Sequence, residues 1–266
     1  MQERPKRVTA NGDAERPNVA RLFDYYLGGA HNFAVDREFA ERSIKIFPVD
    51  EAARAARSFL RRAVHLCAAA GIRQFLDLGS GIPTAGNVHE VAARIDPASK
   101  VVYVDNELAT VAHGRTMLRC SRTAAVVHAD LRDPDAVLNA PETTRLLDLD
   151  EPIAVLMVGV LPYLCDLDRP ADVVAKYREA MAPGSHLVIS HLTADLEPEL
   201  MGKLAELGQL TGATLTPRCL AEVTGLFTGF DLVEPGVVVA GAWREDGDRN
   251  GPASSLSYAA VGVKHP

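Results

Sequence analysis

The sequence predicts a doubly wound α/β fold, in which a mostly parallel sheet of seven strands is flanked by helices and ends in an antiparallel hairpin. Short apolar runs of strand length alternate with helix-like stretches from residue 71 to the C-terminus. The run at 153–158 is continuously apolar, which indicates a strand buried on both faces. The last two strand-like stretches are separated only by the polar, glycine-containing segment 245–252, which is typical of a hairpin loop.

The predicted elements follow one another in the order that this fold requires. The strands are expected at 75–78, 100–107, 124–131, 153–158 and 185–193, with the hairpin strands at 230–243 and 254–264. Helices are expected at 88–95, 107–120, 171–182, 198–210 and 217–227, and 134–151 is expected to be a polar connection. Asp50 is expected to cap a long helix that Gly71 ends, and Thr216 is expected to cap the last helix.

Length and composition favour a single domain with a full core. The chain has 266 residues, of which 47% are hydrophobic. Residues 1–16 are expected to be a flexible tail, and 17–266 one domain made of a helical cap (17–70) and a Rossmann-like core (71–266). The net charge of −7 gives nucleic acid no overall electrostatic attraction, so we expect no nucleic-acid partner.

The cysteines and the apolar runs indicate the compartment. The 4 cysteines include no CxxC pair, which argues against a structural metal site or a disulfide framework and favours a reducing cytoplasm. No run of about 18 apolar residues and no N-terminal apolar signal region occurs, so we expect neither a membrane segment nor secretion.

The stretch from Gln74 to Ile95 carries the main functional signal. A short strand ends in the pattern Asp77-x-Gly79-x-Gly81 and is followed by a helix, which is how α/β proteins present backbone N–H groups to a ligand. Thr84 stands where a dinucleotide-binding motif would have its third glycine. A carboxylate at Asp77 repels a pyrophosphate but can bind an ammonium group, so the pattern favours S-adenosylmethionine (SAM) over NAD. A tight turn with no ligand is the alternative.

Two further acids end predicted strands. Asp105 follows Gly81 by 24 residues, close to the spacing of about 20 at which a carboxylate binds ribose hydroxyls in nucleotide-binding folds. The same residue could instead cap the following helix. Asp130 ends the third strand, where it could bind the amino group of an adenine.

The N-terminal segment 17–37 has two interpretations. Pro17 suits the start of a helix, and Gly28-Gly29 suits its end. Aromatic and amide side chains surround these glycines, namely Tyr25, Tyr26, Asn32 and Phe33. The segment is either a lid over a ligand pocket or a helical hairpin packed on the sheet.

Several motifs together resemble one protein family. They are RLFDYYLGGAHNFAVDRE, DLGSGIPTAGNVHE, YVDNE, HADLRDP and APGSHLVISHLT. In their order and spacing the chain, from about residue 17 to its end, resembles a family of actinobacterial SAM-dependent methyltransferases. The resemblance implies the class I methyltransferase fold, SAM as the cofactor and a small-molecule acceptor. A catalytically silent SAM-binding protein and an NAD-linked oxidoreductase are the alternatives.

The resemblance also implies which residues bind the cofactor. The methionine part would contact Asp77, Gly79 and Gly81, and the adenosine part would contact Asp105, Asn106, Asp130 and Leu131. The cap would cover the cofactor through Tyr25, Gly28, Gly29, Asn32 and Phe33.

The catalytic group is not fixed by the sequence. Candidate bases near the strand ends are His191 and Tyr163, with His89 less favoured, and each could instead have a structural role. The chain has Leu161-Pro162 after the fourth strand, where the family resemblance leads us to expect a Leu-His pair. The methyl acceptor and the oligomeric state cannot be read from these residues.

Overall fold

The computed structural model of the protein describes residues 16–46, 48–83, 86–244 and 256–265. Nearly all of the predicted tail 1–16 and the whole predicted hairpin loop 245–252 lie outside these residues.

In the described ranges, eight strands form one sheet in the order β3-β2-β1-β4-β5-β8-β6, with β7 also paired to β8. The strands are β1 (Gln74–Leu78), β2 (Lys100–Asp105), β3 (Ala124–His128), β4 (Ala154–Val158), β5 (His186–Leu192), β6 (Phe230–Leu232), β7 (Val238–Val239) and β8 (Ser257–Lys264). Strands β1 to β5 are parallel, whereas β8 runs antiparallel to its three neighbours. The predicted doubly wound sheet with an antiparallel C-terminal part is therefore confirmed.

The sheet has one strand more than predicted because the expected strand 230–243 is divided. Phe230 pairs with Lys264, whereas Val238 pairs with Ala259 farther back along β8. Pro235 has no N–H group to donate to a ladder, and Gly236 follows with a φ of 82°. The turn at these residues therefore separates β6 from β7.

Helices cover both faces of the sheet. They are α1 (Val19–Tyr26), α2 (Ala34–Ile46), α3 (Val49–Ala69), α4 (Val88–Ala93), α5 (Leu108–Met117), α6 (Pro134–Leu138), α7 (Pro141–Leu146), α8 (Pro170–Ala180), α9 (Pro198–Leu210) and α10 (Leu220–Gly225). One apolar core joins Leu76 and Met157 of the strands to Tyr177 of α8. The core on the other face joins Phe75 to Phe59 of α3. Alternate residues of each strand thus enter opposite cores.

Three helix boundaries differ from the sequence predictions. Helix α1 begins after Asn18, whose side chain accepts a hydrogen bond from the Arg21 N–H, and not at Pro17. Helix α3 begins at Val49, so Asp50 lies in its first turn and pairs with Arg54 instead of capping the helix.

The third difference concerns the last helix, which begins after Cys219 and not after Thr216. The Thr216 N–H donates to the carbonyl of Pro162 at 2.8 Å, so this part of the chain is held in a loop. The predicted polar connection 134–151 contains the short helices α6 and α7, each of which starts with a proline.

Buried polar contacts hold the cap together, and its Asn18 joins it to the core. Asp36 of α2 is fully buried and accepts hydrogen bonds from Arg21 Nε at 2.6 Å, Phe33 N at 2.8 Å and Asn18 N at 3.0 Å. The Asn18 side chain donates to both carboxylate oxygens of Glu107, which follows β2. These contacts place the start of α1 at the carboxyl edge of the sheet.

Replacing Asp36 should therefore destabilise the protein strongly. Asp36→Ala leaves the buried Arg21 guanidinium without its carboxylate, which costs about 3–5 kcal/mol. Asp50→Ala removes a solvent-exposed pair with Arg54 and should cost about 1 kcal/mol or less. Urea unfolding followed by circular dichroism measures both, and equal losses in the two variants would contradict the role given to Asp36.

Candidate active site

The loop after β1 needs glycine at two positions. Gly79 has a φ of 71°, and a Cβ there would lie 2.2 Å from Cγ2 of Val160. Gly81 has a φ of 63°, and its Cβ direction opens into empty space. Both dihedral angles are in the left-handed region that side chains disfavour. The loop therefore keeps its backbone close to Val160, which follows β4, while leaving room beside Gly81.

Backbone hydrogen bonds join this loop to the end of β2. The N–H groups of Gly79 and Ser80 donate to the Val104 carbonyl at 2.8 and 3.1 Å. The Gly81 N–H donates to Oδ2 of Asp105 at 2.9 Å. Oδ1 of Asp105 accepts from the Glu107 N–H at 2.9 Å. Asp105 thus fixes the loop as well as the turn before α5, and each of its oxygens can accept a second hydrogen bond.

A cavity of about 480 Å³ opens where the carboxyl ends of β1, β2, β3 and β4 meet. It is lined by every core residue that the sequence analysis assigned to the cofactor, namely Asp77, Gly79, Gly81, Asp105, Asn106, Asp130 and Leu131. The parallel arrangement brings these strand ends to one edge of the sheet, which is the usual ligand position in such folds.

Asp77 is the most perturbed acid of this cavity. Burial raises its pKa to about 7, with a further rise from the charge of Asp105 and an opposing effect from Arg57. Arg57 of α3 also lines the cavity, and burial lowers its pKa. Arg57 carries no signal in the sequence, because an arginine in an alanine-rich helix does not indicate which way it faces.

Asp130 is held by a second arginine that the sequence analysis did not identify. Arg132 Nη2 lies 2.6 Å from Oδ2 of Asp130, and Arg132 Nη1 lies 3.0 Å from Oδ1 of Asp168. Burial alone would raise the pKa of Asp130, but the hydrogen bonds and charge of Arg132 lower it below its ordinary value. This carboxylate therefore stays ionised beside the cavity.

The cap contributes different residues from those expected. The cavity is lined by Phe23 and Asp24 of α1 and by Leu27, the C-cap of this helix. The lining does not include Tyr25, Gly29, Asn32 or Phe33. Positions 23, 24 and 27 share a helix face, and position 25 lies on another face. The predicted segment thus reaches the cavity through other side chains, because the sequence alone does not fix the rotation of a helix.

Two of the expected cap residues, Asn32 and Gly29, instead support Asp24. Asn32 Nδ2 donates to Oδ2 of Asp24 at 2.9 Å, and the His31 N–H donates to the same oxygen at 2.7 Å. A Cβ at Gly29 would lie 2.0 Å from Oδ1 of Asp24, so only glycine fits there. Gly28, with a φ of 78°, lets the chain turn at the end of α1.

The candidate bases have three different positions. His191 is fully buried; its Nδ1 lies 2.8 Å from the Leu192 carbonyl and its Nε2 lies 3.0 Å from Arg218 Nη1. Burial lowers its pKa to about 4, and it does not line the cavity, so it is a structural histidine and not a base. His89 Nδ1 lies 2.6 Å from the Tyr103 hydroxyl, also away from the cavity lining.

Tyr163 is the candidate that reaches the site. It belongs to a 3-10 turn after β4 that includes Leu161 and Pro162. Pro162 is buried, and its carbonyl accepts from Thr216, so this residue packs the loop and leaves Tyr163 at the cavity wall. Burial raises the pKa of Tyr163 above its ordinary value, with a smaller effect from Tyr26.

A second cavity, of about 110 Å³, adjoins the first. The two share Val19 and Phe23 of α1, Ala53 and Ala56 of α3, and Gly159, Tyr163 and Ala213. Beyond this junction the second cavity runs between α2 and α9, where its walls are mainly apolar.

The first cavity fits SAM. Its volume lies within the range of roughly 300–1,000 Å³ that is usual for ligand pockets. The open space beside Gly81, acids at the ends of three strands and the basic Arg57 suit a molecule with an amino-acid end, a ribose and an adenine. The fold and this site define a class I SAM-dependent methyltransferase.

Comparison with known proteins identifies the family. The model of the S-adenosyl methyltransferase family matches residues 5–265, and the chain belongs to this family. A provisionally assigned methyltransferase from Thermobifida fusca has 40% identity and a TM-score of 0.90, over 97% of this chain and 98% of that one. A DUF574 family protein from Streptomyces avermitilis has 35% identity and a TM-score of 0.88, over 95% and 99%. Among proteins with curated functions, none matches this chain.

A more distant likeness shows the fold alone. The N-methyltransferase NodS from Bradyrhizobium japonicum, solved with S-adenosylhomocysteine, has 12% identity and a TM-score of 0.51, over 92% of this chain and 98% of that one. The protein is thus a SAM-dependent methyltransferase of the class I fold, as its sequence predicted. In the part of the chain that the structure describes, no helix is long and apolar enough to cross a membrane.

The raised pKa of Asp77 predicts a pH-dependent stability. The native state holds this proton more tightly than the unfolded chain, so its stabilising contribution is complete below about pH 4 and is lost as the pH rises towards 7. Asp77→Asn removes the buried charge and should make the ligand-free protein about 2–4 kcal/mol more stable at pH 8, and no more stable at pH 4.

Urea unfolding at the two pH values measures this difference. A variant that is less stable than the parent at pH 8 would show that the folded protein favours the Asp77 carboxylate. Asp231→Asn, which changes an exposed acid of β6, is the matched control and should leave the stability nearly unchanged at both pH values.

Proposed function

We propose that the protein transfers the methyl group of SAM to a small-molecule acceptor, and that the cofactor lies in the larger cavity. The observation that carries this proposal is the convergence of Asp77, Gly79, Gly81, Asp105, Asn106, Asp130 and Leu131 on that cavity. When bound there, SAM supplies an electrophilic methyl group on its sulfonium. The protein contributes binding, orientation and exclusion of water.

The methionine end is proposed to lie between β1 and α3. The Asp77 carboxylate suits an ammonium group, and the Arg57 guanidinium suits a carboxylate. The two side chains are close enough for each to shift the pKa of the other. An amino-acid group between them would receive one partner for each of its charges, which compensates for the desolvation of both.

The adenosine end is proposed to lie over β2 and β3. Asp105 accepts hydrogen bonds from ribose hydroxyls while keeping its bonds to the loop. Asn106 and Leu131 flank the adenine, and Asp130, ionised by Arg132, accepts from its amino group. The roles of Gly29 and Asn32 are proposed to be indirect, through the position of Asp24. Tyr25, Gly28 and Phe33 do not line the larger cavity, and no cofactor contact is proposed for them.

The proposed setting is the cytoplasm, with no nucleic-acid or membrane partner. All 4 cysteines are unpaired, which supports a reducing compartment. The net charge of −7 disfavours attraction to phosphate backbones or anionic lipid surfaces.

Calorimetry tests the cofactor assignment. The purified protein should bind S-adenosylhomocysteine with a dissociation constant in the micromolar range and show no comparable affinity for NAD. Asp105→Ala removes the proposed hydrogen bonds from the ribose hydroxyls to the carboxylate, and hydrogen bonds to a charged group contribute about 1.5–3 kcal/mol. The variant should therefore bind S-adenosylhomocysteine about 10–100-fold more weakly. Asp172→Ala, an exposed acid on α8 outside the cavity, is the matched control and should bind as the parent does.

Two results would reject parts of this assignment. Binding of NAD alone would reject the larger cavity as a SAM site. An Asp105→Ala protein that remains folded and binds with parental affinity would remove Asp105 from the ribose contact. Turnover with methyl-labelled SAM then separates an active enzyme from a silent binding protein.

Hydrogen exchange tests whether the cap closes over the cofactor. Residues 18–27 carry the lining side chains, so S-adenosylhomocysteine should slow their exchange together with that of 79–83 and 105–107. Residues 38–45 of α2, whose side chains are mostly outside the larger cavity, serve as the internal control and should change less. Protection of the core loops without any change in 18–27 would make the cap a fixed scaffold.

A further inference from the structure

We propose that the smaller cavity is the acceptor site, and that it takes an uncharged, largely apolar compound of about one ring that presents a neutral nitrogen beside Tyr163. The inference rests on the proposed function and specifies the substrate class of the same site. Its first support is position. The smaller cavity meets the larger one at Gly159, Tyr163, Phe23 and Ala53, so a molecule in it can reach a methyl group held in the other.

The size of the cavity limits the acceptor. Its volume of about 110 Å³ is somewhat below the roughly 150 Å³ of an apolar protein cavity that binds benzene. A single ring is therefore about the largest group that the smaller cavity takes without displacement of its walls, and a substituent would lie at the junction with the larger cavity. Leu204 and Leu207 of α9 and Phe39 of α2 form the far end, which suits the apolar edge of a ring.

The walls also limit the charge of the acceptor. Among the described residues that line the smaller cavity, none carries a charged side chain. The polar groups there are hydroxyls, including those of Tyr26, Ser43 and Thr211. An ion moved from water into such a site has no opposite charge to compensate for its lost hydration, so a carboxylate or an ammonium compound is excluded.

The chemistry at the junction selects the reacting atom. Tyr163 is the only described residue shared by the two cavities that has an ionisable side chain. Burial raises its pKa, so it remains a neutral phenol at physiological pH and is a poor base. An ordinary alcohol or phenol would have to lose its proton to become a strong nucleophile, whereas a neutral amine already has a reactive lone pair.

The transfer balances without an added reactant. The nitrogen lone pair forms the new N–CH₃ bond as the S–CH₃ bond breaks, and the electrons of that bond pass to sulfur. A nitrogen that carried a hydrogen then releases a proton to water at the mouth of the larger cavity. The Tyr163 oxygen can accept a hydrogen bond from the N–H group and so orient the lone pair.

Three single-ring probes test the acceptor class: aniline, phenol and benzoate. Each is added at pH 8 to the full-length protein saturated with S-adenosylhomocysteine, and binding is followed by ligand-observed NMR. Aniline and phenol should bind, with benzoate at least about 100-fold weaker because its charge is buried without a partner. With stoichiometric protein and methyl-labelled SAM, label should appear on aniline and not on phenol.

Variants locate the binding site. Leu215→Trp fills the smaller cavity from its half-buried edge and should abolish aniline binding and labelling while leaving S-adenosylhomocysteine affinity unchanged, since Leu215 does not line the larger cavity. Leu207→Trp fills it from α9 and should do the same if the first variant does not fold. Tyr163→Phe should slow the labelling of aniline about tenfold. The labelling rate should not rise between pH 7 and 9 in either the variant or the parent.

Each contrary result has one meaning. Benzoate binding as tightly as aniline, or aniline binding that survives both tryptophan variants, would overturn the acceptor site. Faster labelling of phenol, or no labelling of aniline, would overturn the neutral nitrogen. A parental rate that rises with pH and becomes flat in Tyr163→Phe would make the tyrosine a base. Failure of S-adenosylhomocysteine to bind would instead reject the proposed function itself.

Discussion

The hydrogen bond from the Gly81 N–H to the Asp105 carboxylate is the contact on which the site depends most. With the bonds from Gly79 and Ser80 to Val104, it fixes the end of β1 against the end of β2. The larger cavity lies directly beside this junction. Because the bond uses a backbone donor and the carboxylate of a strand-end acid, two segments 24 residues apart in sequence form one rigid wall.

The site is built at a cost to the stability of the ligand-free protein. Asp77 is buried with a pKa raised to about 7, and Arg57 is desolvated opposite it. Asp24, 1% exposed, is a second buried carboxylate at the cavity wall. A protein optimised only for folding would not hold these charges away from water. On the proposed assignment, the ammonium and carboxylate groups of the cofactor would compensate for this desolvation on binding.

The two cavities differ in the charge of the side chains that line them. The larger one includes acids and arginines among its lining residues, whereas the described walls of the smaller one carry only apolar and hydroxyl side chains. Tyr163 lies where they meet, and the loop that carries it is held by the bond from Thr216 to Pro162. Pro162, which departs from the expected histidine, thus has a packing role that positions the neighbouring tyrosine.

The sequence by itself indicated the order of strands and helices along the chain, the acid–glycine loop and seven residues that line the larger cavity. The strands, the glycine loop and the strand-end acids follow from local signals, because each is readable within a few residues. Asn106 and Leu131 were implied only by the resemblance to the family. Only the tertiary structure decided that α1 turns Phe23 and Asp24 and not Tyr25 to the cavity, that Arg57 faces Asp77, and that His191 is enclosed by Leu192 and Arg218. The tertiary structure alone also creates the smaller cavity, because its walls include residues as far apart in sequence as Val19 and Ser257, which are 238 positions apart. The rotation of a helix and the burial of a side chain depend on distant packing partners, and no local pattern records them.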